Sequence, residues 1–157
     1  MKNLITNEQV LSLAFGDGEY IAPEAVLDAD IAAATFRYIV PIVGTELYEE
    51  MVGGAHASLV EDYVAPALAM AVRTMIQPAL NVRTGQTGLY IPASARSDTS
   101  TRTTTQSLQH SLRVRRQTLL KRLSNYLKNH ASEFASYDAG HDIMQRCSTD
   151  GGFVQMR

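Results

Sequence analysis

The chain's 157 residues, 45% of them hydrophobic, suffice for one domain with a real core and are too few for two of ordinary size. A single cysteine, Cys147, excludes an internal disulfide and multi-cysteine metal sites, and His56, His110, His130 and His141 stand at no metal-ligand spacing. The formal net charge of -2 conceals a split: residues 1–62 carry eleven acids and two bases, Lys2 and Arg37, whereas seven Lys or Arg and no acid lie between Thr99 and Ser132.

Opposed charge on one small molecule suits head-to-tail stacking of copies, the acidic region of one meeting the basic region of the next. The competing expectation is that the two regions pair within one chain or stay as solvated faces. The opening MKNLITNEQV has no apolar run of signal-peptide length, and no stretch approaches the length of a membrane span, so a soluble protein, intracellular when made, is expected.

In chain order, Thr6 and Gln9 form a capping box before Val10, Leu11, Leu13 and Ala14, and Gly16 and Gly18 end that short helix. After a turn around Asp17 and a lead-in from Ile21 to Leu27, Asp28 or Asp30 can cap a helix through Ile31, Ala34, Thr35, Tyr38 and Ile39. Pro41 removes an amide donor, which predicts a bend near Val40 to Gly44 and a restart with Thr45 as N-cap, stopped by Gly53 and Gly54. From Ala57 to Leu80 apolar residues surround the helical wheel, broken by Glu61, Asp62, Arg73, Thr74 and Gln77. Such a helix is either the single central helix or is covered in part by a neighbouring subunit. Pro66 belongs in its first turn or marks a kink, and Pro78 lies near its end.

Residues 81–107 are rich in Gly, Ser and Thr and read as a long exposed loop, in which Gly85, Gly88 and Leu89, Tyr90 and Ile91 can support a hairpin used as a contact arm. A long helix is expected from about Thr104 to Asn129, with Leu108, Leu112, Leu119, Leu120, Leu123, Tyr126 and Leu127 in one stripe. Arg116 projects inside that stripe and calls for a buried carboxylate from the N-terminal half. After Phe134 and Tyr137 the segment 138–157 reads as a tail, mobile until bound, of which Gly152 to Met156 can add as a strand to a partner.

No phosphate-cradling loop, dinucleotide fingerprint, HExxH helix or nucleophile elbow occurs. Glu49/Glu50 and Glu61/Asp62 are adjacent carboxylates that point about 100° apart on a helix, which suits solvated or interfacial charge better than an acid/base couple. The GDGEY turn lacks the further oxygens of a calcium loop. No cofactor and no enzymatic activity are expected. The basic helix can touch phosphates without reading bases, which leaves a small non-specific nucleic-acid-binding or regulatory protein using residues 113–128 as the alternative.

Three segments together, ATFRYIVPIVGTELYEEM with Ala33 and Ala34 at its start, LVEDYVAPALAMAV at 59–72 and RLSNYLKNHASEF at 122–134, resemble the head-to-tail connector, or adaptor, proteins of tailed bacteriophages and prophages. The resemblance spans roughly residues 5–137 and includes a loop that begins with Asn81, Val82, Arg83, Thr84 and Gly85. It implies an all-α bundle with a long C-terminal helix, a single domain over 1–137 with an arm at 82–103, and an extended tail from 138. It further implies a structural virion protein that forms a ring of about twelve copies in the neck between capsid and tail, assembled in the host cytoplasm. Its partners would be itself, the portal protein, the next tail or neck protein, and DNA passing through the channel without base reading, with no membrane role. The candidate subunit-interface or DNA-channel residues are Arg113, Arg115, Arg116, Lys121, Arg122 and Lys128 against Glu46, Glu49, Glu50, Glu61 and Asp62. Arg83, Leu89, Tyr90, Ile91 and Arg96 are the candidate partner-contact arm.

Overall fold

The computed structural model describes residues 3–16, 19, 21–80, 83–85, 88–90 and 98–145, with the backbone alone for 83–85, 88–90 and 98–102. Helix α1 (Asn7–Ala14) starts at the expected capping box: Thr6 Oγ1 accepts from the Gln9 N–H at 3.3 Å, and Gln9 Oε1 accepts from the Thr6 N–H at 2.9 Å. A 3-10 turn, Pro23–Ala25, leads to α2 (Asp28–Ala34). Leu27 holds the cap position, and Asp30 serves the helix from within its first turn by accepting from the Leu27 N–H at 3.4 Å.

Proline acts differently from the expected bend. A π-turn, Thr35–Ile39, joins α2 to α3 (Val40–Val43), and the Val40 N–H donates to the Thr35 carbonyl, five residues back. Pro41 has no N–H for the carbonyl of Arg37 and its ring crowds that carbonyl in an α-helix, so the wider turn relieves the clash without breaking the chain's helical course. The break comes at Gly44, whose φ of +83° is open to glycine without strain. Gly44, rather than Thr45, is the N-cap of α4 (Thr45–Val52), because its positive φ already turns the chain out of α3.

The same device recurs downstream. Helix α5 (Ala57–Leu59) passes through a second π-turn, Val60–Val64, into α6 (Ala65–Leu80), with the Ala65 N–H donating to the Val60 carbonyl just before Pro66. Tyr38 and Tyr63 each lie in a π-turn three residues before a proline.

Helix α6 is the central helix: every residue from Ala67 to Arg73 is buried, and α1, α2 and α7 (Asp98–Asn129) pack on it. Of the two expectations for the all-round apolar segment, burial within the single chain is the one realised. Between α6 and α7 the strands β1 (Arg83–Gly85) and β2 (Gly88–Tyr90) pair antiparallel, with Thr84 opposite Leu89.

The long C-terminal helix expected from about Thr104 is present as α7, which extends a further six residues toward the N-terminus, to Asp98. Residues 98–129 contain no Gly or Pro, and weak Ser and Thr propensities alone do not end a helix. Leu112, Leu120, Leu123 and Leu127 are buried as expected, Leu119 and Tyr126 are partly buried, and Leu108 is 36% exposed.

The mobile tail expected from 138 is also corrected for its first eight residues, which fold back onto the bundle. Asp142 is fully buried and accepts from Ser124 Oγ at 2.6 Å, the Tyr137 hydroxyl at 2.8 Å and the Met144 N–H at 2.8 Å. The Ile143 N–H donates to the Pro41 carbonyl at 3.1 Å. Three donors offset the cost of burying the carboxylate, which the polar, aperiodic sequence of the tail does not reveal. Burial, then the Asp142 hydrogen bond, pushes the Tyr137 hydroxyl well above its ordinary range. The expected strand at Gly152 to Met156, the Asp17 turn and Cys147 lie outside the described residues.

Candidate functional site

The cations of α7 divide by their place on the helix. At 100° per residue, His110, Arg113, Val114, Gln117, Thr118 and Lys121 fall within one arc of about 140°, and all six are exposed. Lys128 lies on the same arc two turns further on, and Arg115 and Arg122 lie along its edge. Helix α7 carries no acid beyond Asp98, so this face has no counter-charge of its own.

Arg116 points the other way, into the apolar stripe, and its expected carboxylate partner is replaced by an aromatic one. Its guanidinium carbon sits 4.5 Å from the centre of the Tyr38 ring, and Nη1 donates to the Tyr38 hydroxyl at 3.1 Å. A ring face and a phenol oxygen balance a partly buried guanidinium without the desolvation of a second ion. Arg122 lies 4.6 Å over Tyr63, which stacks on Tyr126 at 4.0 Å, which in turn stacks on His130 at 4.3 Å. Each π-turn thus supplies one tyrosine beneath one arginine of α7.

The expected pairing of Arg113, Arg115, Arg116, Lys121 and Arg122 with Glu46, Glu49, Glu50, Glu61 and Asp62 does not occur within the chain. Among the described residues the ion pairs are Arg73–Glu19 at 2.7 Å and His56–Glu50 at 3.1 Å. The five acids are exposed, and so are Arg113, Arg115, Lys121 and Arg122. Lys128 Nζ donates to Gln145 Oε1 at 3.2 Å. Both charged regions therefore face outward, and the expectation that they neutralise each other within one chain is overturned for the described residues.

Glu50 is committed locally. Hydrogen bonds from Ser136 and then from His56 hold its carboxyl below the ordinary range. His56 adopts a left-handed φ of +56°, which aims its ring at Glu50 and edge-on at Phe134, 5.1 Å away.

Arg73, which in the sequence is only a gap in an apolar wheel, is buried. Its Nη1 donates to the Ala14 carbonyl at the end of α1, its Nη2 donates to Glu19, and its guanidinium lies 4.4 Å over Phe15. A cation at a helix C-terminus complements the helix dipole. Burial raises the Glu19 pKa, but hydrogen bonds from the Gly16 N–H and Arg73 outweigh it and leave the carboxyl below its ordinary range.

A groove of about 540 Å³ runs between α1 and the start of α5 and α6, lined by the apolar Leu4, Leu13, Met51, Val60 and Ala65 together with the polar Gln9, Ser12 and Glu61. Of the contact-arm candidates, Arg83, Leu89 and Tyr90 lie in the hairpin as backbone, with Arg83 opposite Tyr90, and Ile91 and Arg96 fall outside the described residues. Among the described residues no group of three His, Cys, Asp or Glu is placed to hold a metal ion, and no helix is long and apolar enough to cross a membrane.

Fold and surface together define a small, predominantly helical protein with a basic helix face whose cations form no ion pair among the described residues. Residues 22–145 match a family of unknown function (DUF6712), and the chain belongs to that family. No curated protein and no solved structure matches it.

Proposed function

We propose that this protein is a non-enzymatic structural subunit that assembles with copies of itself into a ring, acting as a head-to-tail connector of a tailed-phage or prophage particle. One observation supports the assembly reading most: the α7 cations and the acids of α4 and the second π-turn are exposed on the same chain without neutralising each other. Two unneutralised patches of opposite sign favour contacts between copies. The resemblance of residues 5–137 to connector proteins supplies the particle, with the portal and the next neck protein as partners and a location at the neck of the virion. The absence of catalytic motifs from the sequence agrees with a structural role.

Electron microscopy of the concentrated protein tests this reading: closed rings around a channel that admits a DNA duplex are expected. Discrete monomers that bind duplex DNA with steep salt dependence would replace it with the nucleic-acid-binding alternative, which the exposed Arg113, Lys121 and Lys128 favour.

A further inference from the structure

We infer that the subunit contact is heterologous: the exposed face of α7 in one copy seats in the groove between α1 and α5/α6 of the next. This rests on the assembly reading above and names the two surfaces that meet.

The groove has the composition of a helix-docking site. Leu4, Met51, Val60 and Ala65 contribute apolar surface to it, and Leu13 is 42% exposed on its α1 side. Glu61 lines it, and the residues that line it include no Lys or Arg. An occupant that complements it is a helix with an apolar centre and cationic flanks. The outer face of α7 has that pattern. Val114, 52% exposed, lies about 20° from Lys121 on the same arc, with Arg113 toward the arc's other side and Arg115 at the edge within reach of a carboxylate on the opposing surface.

Placement in the fold makes the contact repeatable. Groove and basic face share no residue: the groove is lined from α1 and from residues between Met51 and Ala65, the basic face by His110 to Lys121 of α7. A contact between unlike surfaces leaves each copy with one free groove and one free helix face, which propagates and closes into a ring when the rotation permits. The exposed Val114 and the apolar residues of the groove distinguish this from DNA binding, which needs cations alone.

Cysteine cross-linking between differently tagged full-length copies tests the contact, with Cys147→Ser in every protein. One copy carries Leu13→Cys and the other Val114→Cys, both at exposed positions. The mixture should give several-fold more disulfide-linked heterodimer than homodimer of either protein, and more heterodimer than Val114→Cys mixed with Ala79→Cys. Ala79 is exposed at the far end of α6, about 21 Å along the helix from Ala65. Adding Glu61→Lys to the first copy should cut the yield, and Arg115→Glu in the second should restore it. A yield no higher than the Ala79 control overturns the contact. If rings still form in that case, the assembly reading survives with another interface. Cross-linking above the control without rings upholds the contact and overturns the closed assembly. Loss of duplex binding in Arg113→Glu/Lys121→Glu, with no cross-linking in the parent pair, assigns the face to DNA and overturns the proposal.

Discussion

Helix α7 is two helices in physical terms. From Leu112 to Leu127 its apolar stripe packs on α6, with Leu112, Leu120, Leu123 and Leu127 buried, and Arg116 and Arg122 lie over tyrosine rings. From Thr103 to Ser111 most side chains are exposed, and Leu108 continues the stripe at 36% exposure. Among the described residues, the apolar stripe of α7 is longer than the surface packed against it. Packing therefore governs the C-terminal half, and the outer cations Arg113 and Lys121 are exposed for association.

The contrast predicts a gradient of stability effects. Leu123→Ala, in the packed half, should cost about 2–5 kcal/mol of unfolding free energy, measured by urea denaturation. Asp142→Ala leaves the hydroxyls of Ser124 and Tyr137 and the Met144 N–H without their acceptor and should cost about 3 kcal/mol, with earlier hydrogen exchange at Ile143 as its local signature. Tyr38→Phe keeps the ring under Arg116 but removes the hydroxyl, so a loss of about 1 kcal/mol is expected. Equal losses for Tyr38→Phe and Leu123→Ala would erase the distinction between stripe and clamp. On the outer face, Val114→Ser should change stability by less than about 0.5 kcal/mol while weakening self-association.

Acid should act through the committed carboxylates. Glu19 and Glu50 have folded-state pKa values below their ordinary ones, so their contribution is present above about pH 5 and is lost as pH falls through the folded values. Glu19→Gln should flatten the fall of the urea midpoint between pH 5 and pH 3, about the ordinary carboxylate range. An unchanged slope would show that the Arg73 clamp does not titrate with Glu19.

Local chemistry is legible in the sequence where its partners are near in the chain. The Thr6–Gln9 box, the Gly53–Gly54 stop and the leucine stripe each depend on residues a few positions apart. The π-turns are harder to see because Pro41 and Pro66 read as breaks rather than as widened turns. Helical spacing puts Arg116 in the stripe, yet its partner lies 78 positions away and is an aromatic ring, which charge balance does not suggest. Asp142 sits in a polar segment without periodicity, and only the return of 138–145 onto Ser124 buries it. Of the candidate site, the exposure of the outer cations and of the acids follows from the charge pattern. The groove does not, because α1 and a turn about 40 residues later meet only in the fold.

Sedimentation velocity of the intact protein over a range of concentration and salt tests self-assembly most directly. The expected result is a single large species at low salt and high concentration that shifts toward monomer as salt screens the opposed patches. A monomer at every concentration and ionic strength would contradict assembly through these charged surfaces.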